Sequence, residues 1–539
     1  MKKIIPFLLA FISLTSCSDF LDELPRDQID ESQVYTSSSQ LYLNTVATLY
    51  NYIGGYSQSQ GLQGTYRGVY DLETFTTDEA MIPTRGGDWY DGGYWQSLFL
   101  HTWTANDESL TDTWNYLYKV IVLSNRSLEK LQQYTSLATP QELLAWQAEV
   151  RAVRALYYYY LLDLFARVPI VTSSTVPLSA VQQSRRSEVF RYVTDELQEV
   201  LPLLPLKASQ QLGEYYGRLT RPVAFFLLSK LALNAEVYAD DDWTDTVSLS
   251  GDKIFFKVGE SHLNAWQTCW AYADSLEACG YELAQHFADN FAVYNETSSE
   301  NIFTIPMDPA SYTNQMQNLF RSYHYGHASA YGFTAENGSS ATLEALETFS
   351  YGTDQQDARF AQTYYADRVT DLNGQPIVLQ NGDTLQYYPL DVQLVLTGHP
   401  HQATAGARMK KYAVDPTATK DGKLMNNDIV LFRYADVLLM KSEAKVRSGE
   451  SGDVELNLVR QRAGMEPLAA TLSTLLRERQ LELAWEGWRR QDLVRFGQYT
   501  RAYSDRPQLT DETNGYTTVF PIPQNLVAPT GAFTQNPGY

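Results

Sequence analysis

Arg479-Gln-Leu-Glu482-Leu-Ala-Trp-Glu486-Gly487-Trp-Arg489-Arg490-Gln-Asp492-Leu-Val-Arg495-Phe496 is the stretch that decides the fold of this 539-residue chain. Leu481, Leu483, Ala484, Trp488 and Leu493 fall near a 3.6-residue spacing, which predicts an amphipathic helix. Arg479, Glu482, Glu486, Arg489, Arg490, Asp492 and Arg495 occupy other positions. Many are three or four apart, a spacing that pairs opposite charges on one helix face. A charge-laced helix occurs in every class of protein. The order Arg-x-x-Glu-Leu-x-x-Glu-Gly-x-Arg-x-x-Asp-Leu-x-Arg is far rarer.

Working outward, residues 431–446 and 454–463 form a helical pair broken by Gly449 and Gly452. Residues 114–131 carry a second helical pattern. Residues 141–165 carry the strongest, with Leu144, Trp146, Val150, Val153, Tyr157, Tyr160, Leu161 and Leu164 in one stripe that stops at Pro169. Residues 222–238 begin with proline in its favoured first position. Their partner, 266–279, is closed by Gly280. These pairs predict a mainly α fold with long loop-rich insertions, either a tetratricopeptide-like helical repeat scaffold or an irregular bundle. The spacing leaves both open, because 240–262 interrupts the third unit. Turn signals at Asn373-Gly374 and Asn381-Gly382 around 377–388 predict short β-hairpins.

Lys2 and Lys3 precede an apolar run at 4–14 too short to span a bilayer, which predicts an export signal. Leu14-Thr15-Ser16-Cys17 looks like a lipobox, so residues 1–16 are expected to be a lipoprotein signal peptide. Cys17 is then the lipidation site and 17–35 a tether. An ordinary secretory signal with an incidental cysteine is the alternative. Losing Lys2 and Lys3 moves the formal charge from −22 to −24. That balance argues against a nucleic-acid partner, whose phosphates require clustered Lys and Arg. Cys269 and Cys279, ten residues apart on one helix, are about 15 Å apart and too distant for a disulfide.

Several blocks now combine. Glu149-Val-Arg151-Ala-Val-Arg154-Ala-Leu-Tyr157-Tyr158-Tyr159 runs to Phe165-Ala166-Arg-Val168-Pro169. Arg433-Tyr-Ala-Asp436-Val-Leu-Leu-Met-Lys-Ser-Glu443-Ala444 is followed by Asn457-Leu-Val-Arg460-Gln-Arg462-Ala-Gly464, then by the opening motif, Phe520-Pro-Ile-Pro523 and Asn536-Pro537. In this order they resemble the SusD/RagB family of surface glycan-binding lipoproteins of Bacteroidetes. Ala166 departs from the glycine the family often has there. The resemblance implies an N-terminal SusD-like region at 36–290 with the ligand loop and a C-terminal SusD/RagB region at 291–539. It also implies capture of oligosaccharide or polysaccharide, delivery to a SusC-like TonB-dependent transporter, and no cofactor. The acidic run after Cys17 resembles the signal for the outer face of the outer membrane. A lid for a peptide importer and a glycoside hydrolase are the competing readings. Arg151, Arg154, Arg433, Arg460, Arg462, Glu482 and Glu486 are expected to be structural ion pairs and helix-end contacts between repeats.

Sugar capture needs aromatic rings against the C–H faces of pyranoses and planar polar groups on the hydroxyls. Among 10 Trp and 38 Tyr, the best cluster is Arg85-Gly86-Gly87-Asp88-Trp89-Tyr90-Asp91-Gly92-Gly93-Tyr94-Trp95, whose glycines permit an exposed loop. Arg85, Asp88, Trp89, Tyr90, Asp91 and Tyr94 are the expected ligand contacts, with Trp89 exposed and dispensable for stability. Trp95 fits the core equally well. A second cluster offers Tyr323, Tyr325 and His327 and must approach the first in space to contribute. His324-x-x-His327 lacks the glutamate and third ligand of a zinc site, so no metal is expected. No nucleophile elbow, phosphate loop or dinucleotide fingerprint occurs. A hydrolase would need two carboxylates across the scissile bond, and nothing singles out a pair such as Asp88 and Asp91.

Overall fold

The computed structural model describes residues 34–55, 57–245, 247–527 and 533–539, so the expected signal peptide, the expected lipidation site Cys17 and nearly all of the expected tether lie outside the described residues. The scaffold helices follow in chain order as α1 (Glu108–Gln133), α2 (Pro140–Phe165), α3 (Arg186–Val200), α4 (Arg221–Leu233) and α5 (Ala265–Ala278). After a long loop-rich stretch come α6 (Tyr434–Arg447), α7 (Asp453–Arg462), α8 (Leu472–Leu483) and α9 (Arg489–Arg495). From α1 to α7 each packs on its successor where the two are sequence neighbours, α5 packs on α6 across the long insertion, and α6 also packs on α8. The protein is mainly α. One hydrophobic core takes residues from both 36–290 and 291–539.

Local chemistry sets the ends of α2. Thr139 Oγ1 accepts the Glu142 N–H at 3.2 Å while the Glu142 carboxylate accepts the Thr139 N–H at 2.8 Å, and Pro140 takes the first turn. The expected stripe is only part of the truth: Leu144 is exposed, and from Ala152 to Ala166 every residue is buried. A helix buried all round must satisfy its tyrosine hydroxyls internally. Tyr157 donates to Tyr52 O at 2.9 Å, and Tyr158 accepts from Val171 N at 2.7 Å.

The helix stops in a strained γ-turn. Ala166 has φ +54° and ψ −73°, and the Arg167 N–H donates to Phe165 O at 2.6 Å. This is the position where the sequence resemblance expects glycine, and the backbone explains why. Ala166→Gly should therefore stabilise the protein by about 1 kcal/mol, read as an upward shift in the thermal midpoint. A lower midpoint would show that the strain is relieved elsewhere.

Two expected helices have different bounds. Ile429–Arg433 is a strand paired antiparallel with Asn301–Ile305, so the helix starts at Tyr434 rather than 431. β-branched Ile429 and Val430 suit a buried strand with a partner, which periodicity alone does not reveal. The helix expected over 222–238 breaks at Asn234 into α4 and a short turn at Ala235–Tyr238. Within 240–262 and just beyond it, Phe255–Val258 and Ser261–Asn264 form a hairpin. The turn-rich stretch near 377 also forms short hairpins, with Asp367–Arg368 pairing Gln386–Tyr387 and Val378 bridging Thr384.

The opening motif is not one helix. It is the end of α8, a turn at Ala484 to Trp488 in which Trp485 (φ +67°) and Gly487 (φ +74°) are left-handed, and then α9. Nor do its charges pair along an exposed face. Arg479 reaches Asp436 and Asp492 at 2.7 Å each, and Glu482 meets Arg433 at 2.6 Å, Arg359 at 2.9 Å and Arg462. Arg489 holds Asp78 at 2.7 Å, Arg490 holds Asp163 at 2.6 Å and Arg495 holds Glu443 at 2.7 Å. All these side chains are buried. Only Asp492–Arg495 is a pair of near neighbours within the motif. The turn is held by the N-terminal region as well: Glu79 accepts the Trp485 N–H at 2.9 Å, and Tyr70 donates to Trp485 O at 3.1 Å.

The network carries a pH signature. Desolvation pushes the Glu443 carboxyl up, but Arg495 and Arg447 outweigh it and bring it from 4.5 to about 2. Asp436 likewise moves from 3.8 to about 2, desolvation being outweighed by Arg479 and Lys230. Groups depressed in the folded state stabilise it above their ordinary values and lose that contribution as pH falls through the folded ones. Thermal stability should fall steeply between pH 4.5 and 2. A flat profile across that window would contradict the burial of these pairs.

Candidate functional site

The loop at 85–95 begins as a tight turn in which the N–H groups of Arg85 and Asp88 donate to each other's carbonyls at 3.0 and 3.1 Å. Gly86, Trp89, Asp91, Gly92 and Gly93 all have positive φ. The left-handed backbone at Trp89 and Asp91 is unfavourable for non-glycine residues, and such strain clusters at functional sites. The reward is display: Tyr90 is 61% exposed, and Asp88 is exposed beside it.

The second cluster does reach the first. The Tyr325 hydroxyl donates to Asp88 Oδ2 at 3.0 Å, and the Trp89 indole N–H donates to Glu336 O at 2.8 Å. Tyr325 is 48% exposed and, with His324, lines an open groove of about 770 Å³. The hairpin residues Asp371, Gln380 and Asn381 form the groove's far wall. An aromatic ring, two exposed amides and the Asp371 carboxylate therefore face one cavity, whose volume lies within the range of roughly 300–1,000 Å³ usual for ligand sites.

Burial corrects three of the remaining expected contacts, Arg85, Tyr323 and His327, while Asp91 stays exposed and Tyr94 half-buried. Arg85 is interior, and its guanidinium donates to Gly338 O, Gln402 O, Ser340 Oγ and Ala405 O. It anchors the loop to two distant segments instead of facing ligand. Tyr323 and His327 are fully buried, with His327 Nδ1 2.9 Å from the Tyr387 hydroxyl among rings of Tyr323, Tyr331 and Tyr365. Burial lowers His327 to about 3, so it is neutral at physiological pH. Asp91 accepts from the Trp95 indole at 2.9 Å and from Arg67 at 2.6 Å, bracing the loop. Tyr94 packs its ring on Trp95 and under Arg67. Trp95 is core. Trp89 is half-buried against Trp95, so it contributes to stability as well as to the site surface.

The sequence reading also missed the support under Trp89. A Cβ built on Gly338 would lie 2.7 Å from the Trp89 ring. The Asn337-Gly338 pair is a turn signal that could have drawn attention to it. Gly338→Ala should displace the indole and loosen the loop, destabilising the protein by about 1–3 kcal/mol and weakening ligand binding together. An unchanged thermal midpoint would show that the ring has room to move. Among the described residues no cluster of three His, Cys, Asp or Glu is placed to hold a metal ion. His401 stacks flat on Tyr388 at 3.5 Å and contacts Asp391 at 2.5 Å.

A model of the SusD family matches residues 264–539, more than half of the chain, and a model described as starch-binding associating with outer membrane matches 19–233. The chain belongs to the SusD family. It is 24% identical to the starch-binding protein SusD of Bacteroides thetaiotaomicron over 526 residues, covering 89% of this chain and 87% of that one. SusD-like protein P25 of Formosa agariphila is 22% identical, covering 92% and 90%. Among solved structures, a laminarin-binding SusD-like protein matches with a TM-score of 0.68 at 22% identity, covering 94% of this chain and all of that one. Surface glycan-binding protein A from Bacteroides thetaiotaomicron in complex with laminarihexaose matches with a TM-score of 0.69 at 20% identity and the same coverage. At these identities the structural likeness establishes the SusD-like fold. Residue roles rest on the geometry above.

Proposed function

We propose that this SusD-family chain is a surface glycan-binding lipoprotein that captures oligosaccharide at the Asp88–Tyr90 loop and the Tyr325 groove. The observation that carries the reading is the Tyr325–Asp88 contact at 3.0 Å, which joins two sequence-distant clusters into one aromatic and polar surface. Tyr90 and Tyr325 offer ring faces for stacking, while Asp88, Gln380 and Asn381 offer hydrogen bonds to hydroxyls. Relatives named for starch, laminarin and laminarihexaose binding support the ligand class. Delivery to a SusC-like TonB-dependent transporter, lipid anchorage at Cys17 and exposure on the outer face of the outer membrane complete the proposal. A family description that includes association with the outer membrane supports it. Among the described residues no helix is long and apolar enough to cross a membrane.

The role is binding without turnover. Asp91 is tied to Arg67 and Trp95 and braces the loop, which leaves Asp88 without a second carboxylate free to act across a scissile bond there. Affinity electrophoresis and titration calorimetry against laminarin, starch, xylan, mannan and pectin should reveal binding to at least one, with the sugar recovered uncleaved. Binding of peptides and no glycan would replace this reading with the peptide-importer lid. Turnover abolished by Asp88→Asn would replace it with a hydrolase.

A further inference from the structure

A second cleft of about 610 Å³ lies at different elements, lined by 42–54, 216–218 and 305–314, and shares no lining residue with the Tyr325 groove. Its first wall is the N-terminal helix, which is not regular. Ser38–Tyr42 passes into a π-helical turn at Leu43–Ala47, where the Thr48 N–H reaches Leu43 O, before Thr48–Tyr50 resumes. Such wide turns are rare and concentrate at functional sites, where they re-aim side chains. Here Tyr42 and Tyr50, on either side of the turn, both line the cleft.

Several of the walls are locked. Tyr50 donates to Glu149 at 2.6 Å and accepts the Leu219 N–H at 2.8 Å. Tyr216 donates to Asp428 at 2.7 Å. Arg218 grips Glu149 through two hydrogen bonds of 2.9 and 2.6 Å, with its guanidinium over the Tyr42 ring, so its charge is neutralised. Other groups are free. Among the described residues the Tyr42 and Tyr312 hydroxyls, the Asn51 amide and the Thr313 hydroxyl make no hydrogen bond, although all four residues line the cleft. Burial raises both of these tyrosines, which keeps their hydroxyls protonated and able to donate.

We infer that this cleft is a second carbohydrate-binding site, taking a short neutral segment of the same class of glycan. The inference rests on the proposed function for its ligand class but not for its location. Tyrosine side chains lining a cleft beside unpartnered hydroxyl and amide groups suit pyranose recognition, and fixed walls reduce the ordering cost of binding. The charge-neutralised Arg218 selects against strongly anionic sugars. A chain with two such sites grips a long polysaccharide more tightly than a short oligosaccharide, through effective concentration.

The test compares retardation in gels containing laminarin, starch, xylan, mannan or pectin. Tyr312, 40% exposed on a loop, can be removed without disturbing the core. Tyr90→Ala combined with Tyr325→Ala should leave residual retardation by the bound polysaccharide, and adding Tyr312→Ala should lower that residual affinity about tenfold. Tyr42→Phe, which removes only a free hydroxyl, should weaken it less. If Tyr90→Ala with Tyr325→Ala abolishes retardation and Tyr312→Ala alone changes nothing, the second site falls and the first stands. Retardation lost only with Tyr312→Ala upholds this cleft and moves the primary site to it. No retardation of the parent protein by any polysaccharide overturns both.

Discussion

Replacing Arg433 by alanine is expected to cost the protein about 5 kcal/mol or more, enough to lose most folded material. Arg433 donates to Glu300 at 2.7 Å, to Glu482 at 2.6 Å and to Glu486 at 2.7 Å, and to Glu482 O at 2.6 Å. All four side chains are buried. Breaking one buried pair by removing a partner costs about 3–5 kcal/mol, because the remaining charge stays desolvated. Here three carboxylates lose a shared cation, with only Arg359, Arg462 and Lys411 left to compensate. Total stabilities run to about 5–15 kcal/mol, so the loss is a large fraction of the whole. Arg433→Lys keeps the charge but not the planar fork and should recover only part. Soluble yield and denaturant midpoint measure the effect. A variant that melts within a few degrees of the parent would show that the network is not holding the two halves together.

The second large effect is on ligand affinity. Tyr90→Ala and Tyr325→Ala should each weaken glycan binding at least tenfold, and together about a hundredfold, with the thermal midpoint almost unchanged. Both rings are substantially exposed, so little core packing is lost. Tyr325→Phe removes the hydrogen bond to Asp88 but keeps the ring, and should retain most of the affinity if stacking dominates. Trp89→Ala is a poorer probe than its sequence implied, because its indole bonds Glu336 O and packs on Trp95. Full affinity in the double variant would remove the Asp88–Tyr325 surface from the binding site.

Much of the scaffold was legible because helix formation is local. Pro222 marks a start, Gly280 marks a stop, and apolar residues at helical spacing mark a buried face, whatever the rest of the chain does. The strand at Ile429–Arg433 was missed because its stabilising partner, Asn301–Ile305, lies more than a hundred residues upstream. The site divided in the same way. Glycines and aspartates around Trp89 and Tyr90 signalled an exposed loop from composition alone. Arg85, Tyr323 and His327 carry the same residue chemistry as true contacts, yet burial consigns them to support. Burial is a property of what packs on a side chain, and sequence neighbours do not report it.

The opening motif marks the limit on both counts. The order of residues at 479–496, taken with the blocks at 149–169, 433–464 and 520–537, pointed to the family and to structural ion pairs, since side-chain charge and motif order are written in the chain itself. Its break at Trp485 and the identity of its partners, Asp78, Asp163, Arg359, Arg433, Asp436 and Glu443, were decided only by the tertiary structure. The physical reason is that a buried charge must be neutralised by whatever group the fold brings within hydrogen-bond reach, and here most of those groups come from far along the chain.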